Sequence, residues 1–413
     1  MVRGEPYRLA IERPAAGGRM IARHEGAIVL VSGAIPGEVV DAEIEKTQRG
    51  TVWASAREVL EASPDRVPAA DGACGGSVFA HIAYERQRQL KSEIIGDAFR
   101  RLARMPLESA TEVVGSRVDG YRMRARLHLR GGRIGFFREG THSLCDAAGT
   151  RQLRDDTNAV IQDLERCLAG GPADAISDIE LSENIEATGR VLHLELRPDG
   201  DAARLASAVQ VNGVTGATCA HAENPRTIDL FGSPYVSDVI SGATLQRHAR
   251  SFFQGNRFLT PVLVEHVLSL INGGPVLDLY AGVGLFSVAA DQAGQGPVTA
   301  VEGDRSSSAD LKRNASGRNV IVKADAVEQF VDRARDHYAT VIVDPPRTGL
   351  SKTALARIVR LKVPRMVYVS CDVATLARDA RVIVDAGYRI DSLRAFDLFP
   401  NTAHVETVIS FSC

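Results

Sequence analysis

The segment YVSCDVATLARD, Tyr368 to Asp379, places a thiol where a strand gives way to a helix. Met366 to Val369 form an apolar run of strand length, and beyond Asp372 the Ala, Leu and Arg residues take helical spacing. A helix N-terminus offers unpaired N–H groups and a partial positive charge, which predicts a lowered thiol pKa and a nucleophilic thiolate at Cys371. A cysteine here also serves as a small apolar filler, so residue type alone does not decide its role.

A second set of residues could hold a ligand. VLDLYAGVGLFSVAA ends a strand at Asp278-Leu279-Tyr280, turns on Gly282 and Gly284, and enters a helix. The glycines let the backbone approach a ligand closely. Eighteen residues past Gly284, the strand VTAVE ends in Glu302, placed to accept hydrogen bonds from two ribose hydroxyls. Both a dinucleotide and S-adenosylmethionine satisfy that much. Asp278, Asp325 (KADAVEQF) and Asp344 (VDPPR) ring the strand ends with carboxylates, which repel a pyrophosphate but not a sulfonium or an adenine amino group. The pattern favours a methyl donor.

The elements that position these groups follow from the wider pattern. At 413 residues the chain is too long for one core. Residues 1–62 carry short strands broken by glycine (GAIVLVSG, EVVDAEIEK, GTVWASAREVL), the pattern of a small β-barrel, with Trp53 its candidate for base stacking. SPDRVPAADGACGG then marks a linker. Residues 63–240 read as a mixed α+β unit, opening with a helix over 81–105 whose Leu90, Ile94, Ile95, Phe99 and Leu102 share one face opposite a basic one. That helix could pack on the C-terminal unit. From Arg86 to Arg138, thirteen Arg and Lys stand against five acids. The hairpin RMRARLHLR-GG-RIGFFRE can display Arg124, Arg126 and Arg130 in one stripe, and Arg122, Arg124 and Arg126 are the candidate RNA contacts. In residues 241–413 strands alternate with helices, as in a doubly wound α/β sheet, whose ligands bind beyond the carboxyl ends of the strands.

Composition bounds the rest. The 49 Lys+Arg nearly balance 51 Asp+Glu, so net charge names no partner. MVRGEPYRLAIERP lacks the apolar core of a secretory signal and no apolar run approaches ~20 residues, which predicts a cytoplasmic protein with no membrane partner. Cysteines 74, 145, 167, 219, 371 and 413 form no close pair, suggesting neither a disulfide framework nor a CxxC metal site.

FFQGN (252–256), LDLYAGVGLFS, VEGD, VDPPRTGL, YVSCDVATLARD and FDLFPNTAHVET, in this order, resemble the S-adenosylmethionine-dependent RNA 5-methyluridine methyltransferases of the TrmA and RumA type. GGRMIARHEGAIVLVSGAIPGEVVDAEI resembles the TRAM domain, an OB-like barrel. The resemblance implies a Rossmann-like methyltransferase domain behind an N-terminal barrel and a mixed central domain. It implies that Cys371 is the nucleophile and Glu406 the base, that Gln254, Tyr280, Glu302 and Asp344 contact the cofactor around the Gly282–Gly284 turn, and that Asp325 neighbours the adenine. These residue types suit the reaction. Addition of a thiolate to uracil carbon 6 gives an enolate that can take a methyl group at carbon 5, and a base must then remove the carbon 5 proton. His404 reads either as a helper of that base or as a buried structural histidine.

The chain departs from the family in places. Relatives with a TRAM domain often hold a four-iron cluster on four cysteines; here only Cys74 and Cys145 match and Ser77 replaces another, so an iron–sulfur cluster is not expected. Asp372-Val373 replaces the commoner Asn-Pro, and Leu285 replaces a polar residue. The TRAM-like segment tilts the expected target toward 23S ribosomal RNA, with transfer RNA the alternative, acted on by a monomer. An amino-group methyltransferase would carry an aromatic residue where Arg347 stands, and a non-catalytic RNA-binding or assembly protein would have lost the nucleophile, the base or the glycine turn.

Overall fold

A computed structural model of the chain describes residues 4–69, 74–169, 171–221 and 223–413. Five strands (Pro6–Pro14, Met20–His24, Ala27–Ser32, Val39–Gln48 and Thr51–Glu61) close into a barrel. Alternation sends Leu9, Ile11, Val29, Val31, Val40 and Ile44 inward, and closure leaves no strand edge unpaired. Arg19 and Lys46 lie over the Trp53 ring, 5.0 and 4.9 Å from its centroid.

The central unit is a seven-stranded sheet in the order Asn224–Gly232, Gly216–His221, Arg190–Leu196, Ile176–Glu183, Arg124–Arg130, Arg133–Phe137, Leu144–Asp146. Helices Asp155–Leu168 and Ala202–Ala208 cover one face, where Leu127, Leu129, Leu164, Ile179 and Leu194 make the core. The expected hairpin turns on Gly131 and Gly132, with φ of 56° and 74°, the left-handed pair that a two-residue turn of this hand requires. A cross-link was not foreseen: Cys74 and Cys145, 71 residues apart, form a disulfide. Sequence spacing carries no sign of it because the pairing depends on the hairpin bringing Cys145 back beside the 74–82 segment, where Cys74 bridges to Arg138.

The helix Tyr84–Ala98 continues into a π-helical turn at Phe99–Ala103. That wider turn rotates the chain less per residue and sets back the phase of the helix, and Leu102, expected on the buried face, is 52 % exposed. Lys91, expected on the basic face, is fully buried. The helix shares a core with the C-terminal unit through Ile95, Ala98 and Phe99.

The C-terminal sheet runs Val320–Lys323, Val298–Val301, Val276–Leu279, Thr340–Val343, Arg365–Ser370, Glu406–Ser412, Arg389–Phe396, Val113–Val114. The first five are mutually parallel, and Glu406–Ser412 is antiparallel to both its neighbours. Strand order reverses between Val276–Leu279 and Thr340–Val343, the crevice where such sheets bind ligands. The Arg389–Phe396 strand escaped the sequence reading, and Val113–Val114 is lent by the central segment. Position 240 ends the first strand of a separate hairpin, Tyr235–Ile240 with Ala243–His248, which carries its chain on into the C-terminal unit. No helix among the described residues is long and apolar enough to cross a membrane.

Candidate active site

A cavity of about 730 Å³ opens at the carboxyl ends of the parallel strands, within the range of small-molecule sites. Gln254, Tyr280, Gly282, Glu302, Asp344, Cys371 and Glu406 all line it. The strand register explains how two residues 35 positions apart meet. Ser370 pairs with Thr407 in the antiparallel ladder, so Cys371 and Glu406, one step further, end neighbouring strands side by side.

One half of the cavity is a cradle. Tyr280 takes φ 61°, an uncommon backbone state for a residue with a side chain, and a Cβ added at Gly282 would meet nothing within 4 Å. Glu302 accepts hydrogen bonds from the N–H of Gly282 (2.8 Å) and of Asp304 (2.6 Å), which aims its carboxylate at the turn. Burial raises its pKa against those bonds. Behind the cradle Asp278 is fully buried; burial pushes it up to about 7 despite the hydrogen bond from Ser287, and its Oδ1 has no partner among the described residues. Open space at a glycine turn beside an inward carboxylate fits the ribose of a nucleoside ligand, and the carboxylate-rich wall fits a sulfonium. Asp325 does not line the cavity, and its carboxylate accepts a hydrogen bond from Arg333 (2.8 Å) on the following helix.

The other half gathers Asp344, Arg347, Cys371 and Glu406. Glu406 is buried, and burial together with Asp344 raises its pKa well above the ordinary carboxylate range, against Arg347. Asp344 is pushed up to about 8 by burial and by Asp278, opposed by the hydrogen bond from Gln254, itself buried. The Cys371 thiol, expected to be acidified by its helix, is instead pushed up to about 12, by burial and then by Glu406, with Arg347 opposing. The helix end is already satisfied: Asp372 is its N-cap and accepts from the Thr375 N–H at 2.8 Å, placing a carboxylate rather than a thiol on those donors. Asp372 is thus a structural exchange for the family's commoner residue. Leu285 is buried in the cavity wall.

Arg347 is the residue that sequence reasoning passed over. It lines the cavity and is the cation that lowers the pKa of both Cys371 and Glu406. The signal was its position in VDPPR, three residues past a strand-end aspartate. His404 is exposed rather than buried, its ring 6.1 Å from that of Phe399.

Of the candidate RNA contacts, Arg122 and Arg124 line the cavity mouth beside Phe252, which is 58 % exposed. Arg126 does not reach it. It pairs with Asp178 (3.1 Å) on the adjacent strand and Glu195 (2.9 Å) on the strand beyond, acids that the stripe argument left out because they lie 52 and 69 residues away. Arg124 itself pairs with Glu180 at 3.1 Å.

Among the described residues no group of three His, Cys, Asp or Glu side chains is placed to hold a metal ion. The family model described as tRNA (Uracil-5-)-methyltransferase matches residues 328–412, and the TRAM domain model matches residues 2–56. An uncharacterized RNA methyltransferase of Streptomyces avermitilis is 32 % identical over 98 % of both chains. A Pseudomonas entomophila protein described as 23S rRNA (uracil(1939)-C(5))-methyltransferase RlmD is 31 % identical over 99 % of this chain and 94 % of its own. The fold matches that of the tRNA (uracil-54, C5)-methyltransferase of Pyrococcus abyssi, solved with S-adenosyl-L-homocysteine, with a TM-score of 0.78 over 98 % of this chain and all of that one at 23 % identity. With full-length relatives above 30 % identity and both terminal units matched, the chain belongs to the S-adenosylmethionine-dependent RNA (uracil-5-)-methyltransferase family.

Proposed function

We propose that this enzyme forms 5-methyluridine in 23S ribosomal RNA, with Cys371 as nucleophile and Glu406 as base. The observation that carries the assignment is the adjacency of the two at the ends of paired strands, in a cavity whose other half is the nucleoside cradle. Gln254, Tyr280, Glu302 and Asp344 with the Gly282–Gly284 turn hold S-adenosylmethionine, which supplies an electrophilic methyl group. Cys371 adds to uracil carbon 6 and drives charge onto carbon 5. Arg347 favours the thiolate and the negative ring that follows. Glu406 then accepts the carbon 5 proton, the carbon 6–sulfur bond breaks, and the thiolate is restored. Arg122 and Arg124 at the mouth hold RNA phosphate or bases. The full-length relative described as acting on 23S ribosomal RNA supports that target, and transfer RNA, the substrate in the description of the matching family model, is the second reading. A cytoplasmic monomer completes the proposal.

Two experiments test it. Position-resolved mapping of 5-methyluridine in RNA from a deletion strain identifies the target: loss from 23S ribosomal RNA supports the first reading and loss from transfer RNA the second. Glu406→Gln is expected to accumulate methylated RNA bonded to Cys371 through denaturing electrophoresis, and Cys371→Ala to form no adduct. Free product from Glu406→Gln at the wild-type rate would refute the roles.

A further inference from the structure

The segment between Phe396 and Glu406 runs from one strand of the catalytic sheet to the next and contributes Phe399 to the cavity wall. Loops at this position are ordinarily free to move. Here the backbone of 397–401 is held by hydrogen bonds from other parts of the chain. The Asp397 N–H donates to Val114 O (2.9 Å), Asn256 Nδ2 donates to Leu398 O (3.1 Å), and Lys91 Nζ donates to Phe399 O (3.1 Å). The Phe79 N–H donates to Asn401 O (2.8 Å), and Asn401, at φ 64°, exchanges two bonds of 2.9 Å with the Gln87 amide. At the far end the barrel presses in: a Cβ at Gly18 would stand 2.5 Å from that of Ala403.

Two of these holds come from the helix Tyr84–Ala98 and are polar groups placed where an apolar residue would pack more cheaply. Gln87 is 1 % exposed and Lys91 is fully buried, its ammonium 2.5 Å from the equally buried Asp397. A buried ion pair is weak support for stability, since well-packed apolar residues of similar volume often do as well or better. The remaining Nε2–H of Gln87 is shared between Ile82 O (2.9 Å) and Phe79 O (3.1 Å), so one side chain fixes both the segment and its neighbour.

We propose that Gln87 and Lys91 are positioning residues for the release step, fixing the arch 397–405 so that Phe399 and Glu406 meet the methylated ring in register. This rests on the assignment of Glu406 as base. In that step the carbon 5 proton passes to the Glu406 carboxylate, the electron pair left behind forms the carbon 5–carbon 6 double bond, and the carbon 6–sulfur bond breaks with its electrons returning to Cys371. A carboxylate displaced by a fraction of an ångström slows proton transfer, while the cradle, built from other elements, is untouched.

The test uses Gln87→Met and, separately, Lys91→Met combined with Asp397→Leu, which removes both charges together. In vitro-transcribed 23S ribosomal RNA is the probe. Each variant is expected to bind S-adenosylmethionine within about twofold of wild type and to form the adduct, but to hold it at least about tenfold longer on denaturing gels. Leu164→Ala, in the central core away from the arch, supplies a protein of comparably lowered Tm whose adduct lifetime stays at the wild-type value. Arch variants that lose Tm yet release product at the wild-type rate overturn the proposal, as does a lengthened lifetime in Leu164→Ala. If the paired variant does not fold, Gln87→Met decides alone. Glu406→Gln run in parallel separates the two readings: failure to trap there refutes the base assignment and this inference with it, whereas trapping there without trapping in the arch variants refutes only the arch.

Discussion

The high pKa of Cys371 makes a quantitative demand on the enzyme. With the thiol near 12, about 3 in 10⁵ molecules carry a thiolate at pH 7.5, too few for a nucleophile at rest. The neighbours raising that value are burial and then acids, chiefly Glu406, so a cation entering the cavity acts in the opposite sense. Were the sulfonium of a bound methyl donor to stand roughly 6 Å from the sulfur, its unit positive charge would, at an effective dielectric of about 20, be worth about 2.8 kcal/mol, or about two pKa units. The thiolate fraction is therefore expected to rise about 100-fold when S-adenosylmethionine binds. S-adenosylhomocysteine has nearly the same shape and no sulfonium, so it controls for steric blockage. The assay is iodoacetamide alkylation followed peptide by peptide by mass spectrometry, with exposed Cys167 and Cys413 as internal references. A group whose pKa is raised stays protonated below that value, so the rate at Cys371 should climb with pH, about tenfold per unit, across pH 6.5 to 8.5. Arg347→Met removes the opposing cation and should lower the rate further. Equal rates with the two ligands, or a plateau below pH 8.5 in the free enzyme, would refute the reasoning. The same charge would lower the raised pKa of Glu406 and Asp344, so in the proposed mechanism the methyl donor would also ionise the base.

Arg122→Ala with Arg124→Ala is expected to weaken RNA binding and flatten its salt dependence in filter binding, with S-adenosylmethionine affinity unchanged, whereas Arg126→Ala, whose guanidinium is held by Asp178 and Glu195, should stay near wild type. Cys74→Ser with Cys145→Ser, or treatment with a dithiol, opens a loop spanning 71 residues and should cost the central unit about 4 kcal/mol in denaturant unfolding; coincident oxidised and reduced curves would contradict this. Anaerobically purified protein is expected to lack stoichiometric iron, and about four irons per chain with a broad visible absorbance would show ligands beyond Cys74 and Cys145.

What could be read from the sequence was what local pattern controls. The strand, glycine turn and helix around Asp278 to Leu285, and the strand-to-helix junction at Cys371, are set by residues within one or two turns of each other, and both stand where their periodicity puts them. What the local pattern did not show is the partners that the fold supplies. Asp325 pairs with Arg333 on the next helix; Arg126 pairs with acids 52 and 69 residues on; Cys74 found Cys145 through a hairpin return.

Lys91 is the instructive case, because its burial is legible in the helical spacing. The residues buried along the helix are Gln87, Leu90, Lys91, Ile94, Ile95 and Ala98, a single stripe at spacings of three and four. Judged by type, Lys91 belongs with the basic face; judged by position, it lies between Leu90 and Ile94 and has to be inside. A lysine there is tolerated only with a buried partner, because an uncompensated ammonium costs several kcal/mol. The stripe therefore demands a buried acid elsewhere in the chain, and the acid is Asp397, in the segment leading to Glu406. Polar residues on an otherwise apolar helical stripe, taken as a demand for a distant partner, tie this helix to the catalytic loop through the chemistry of two side chains 306 residues apart.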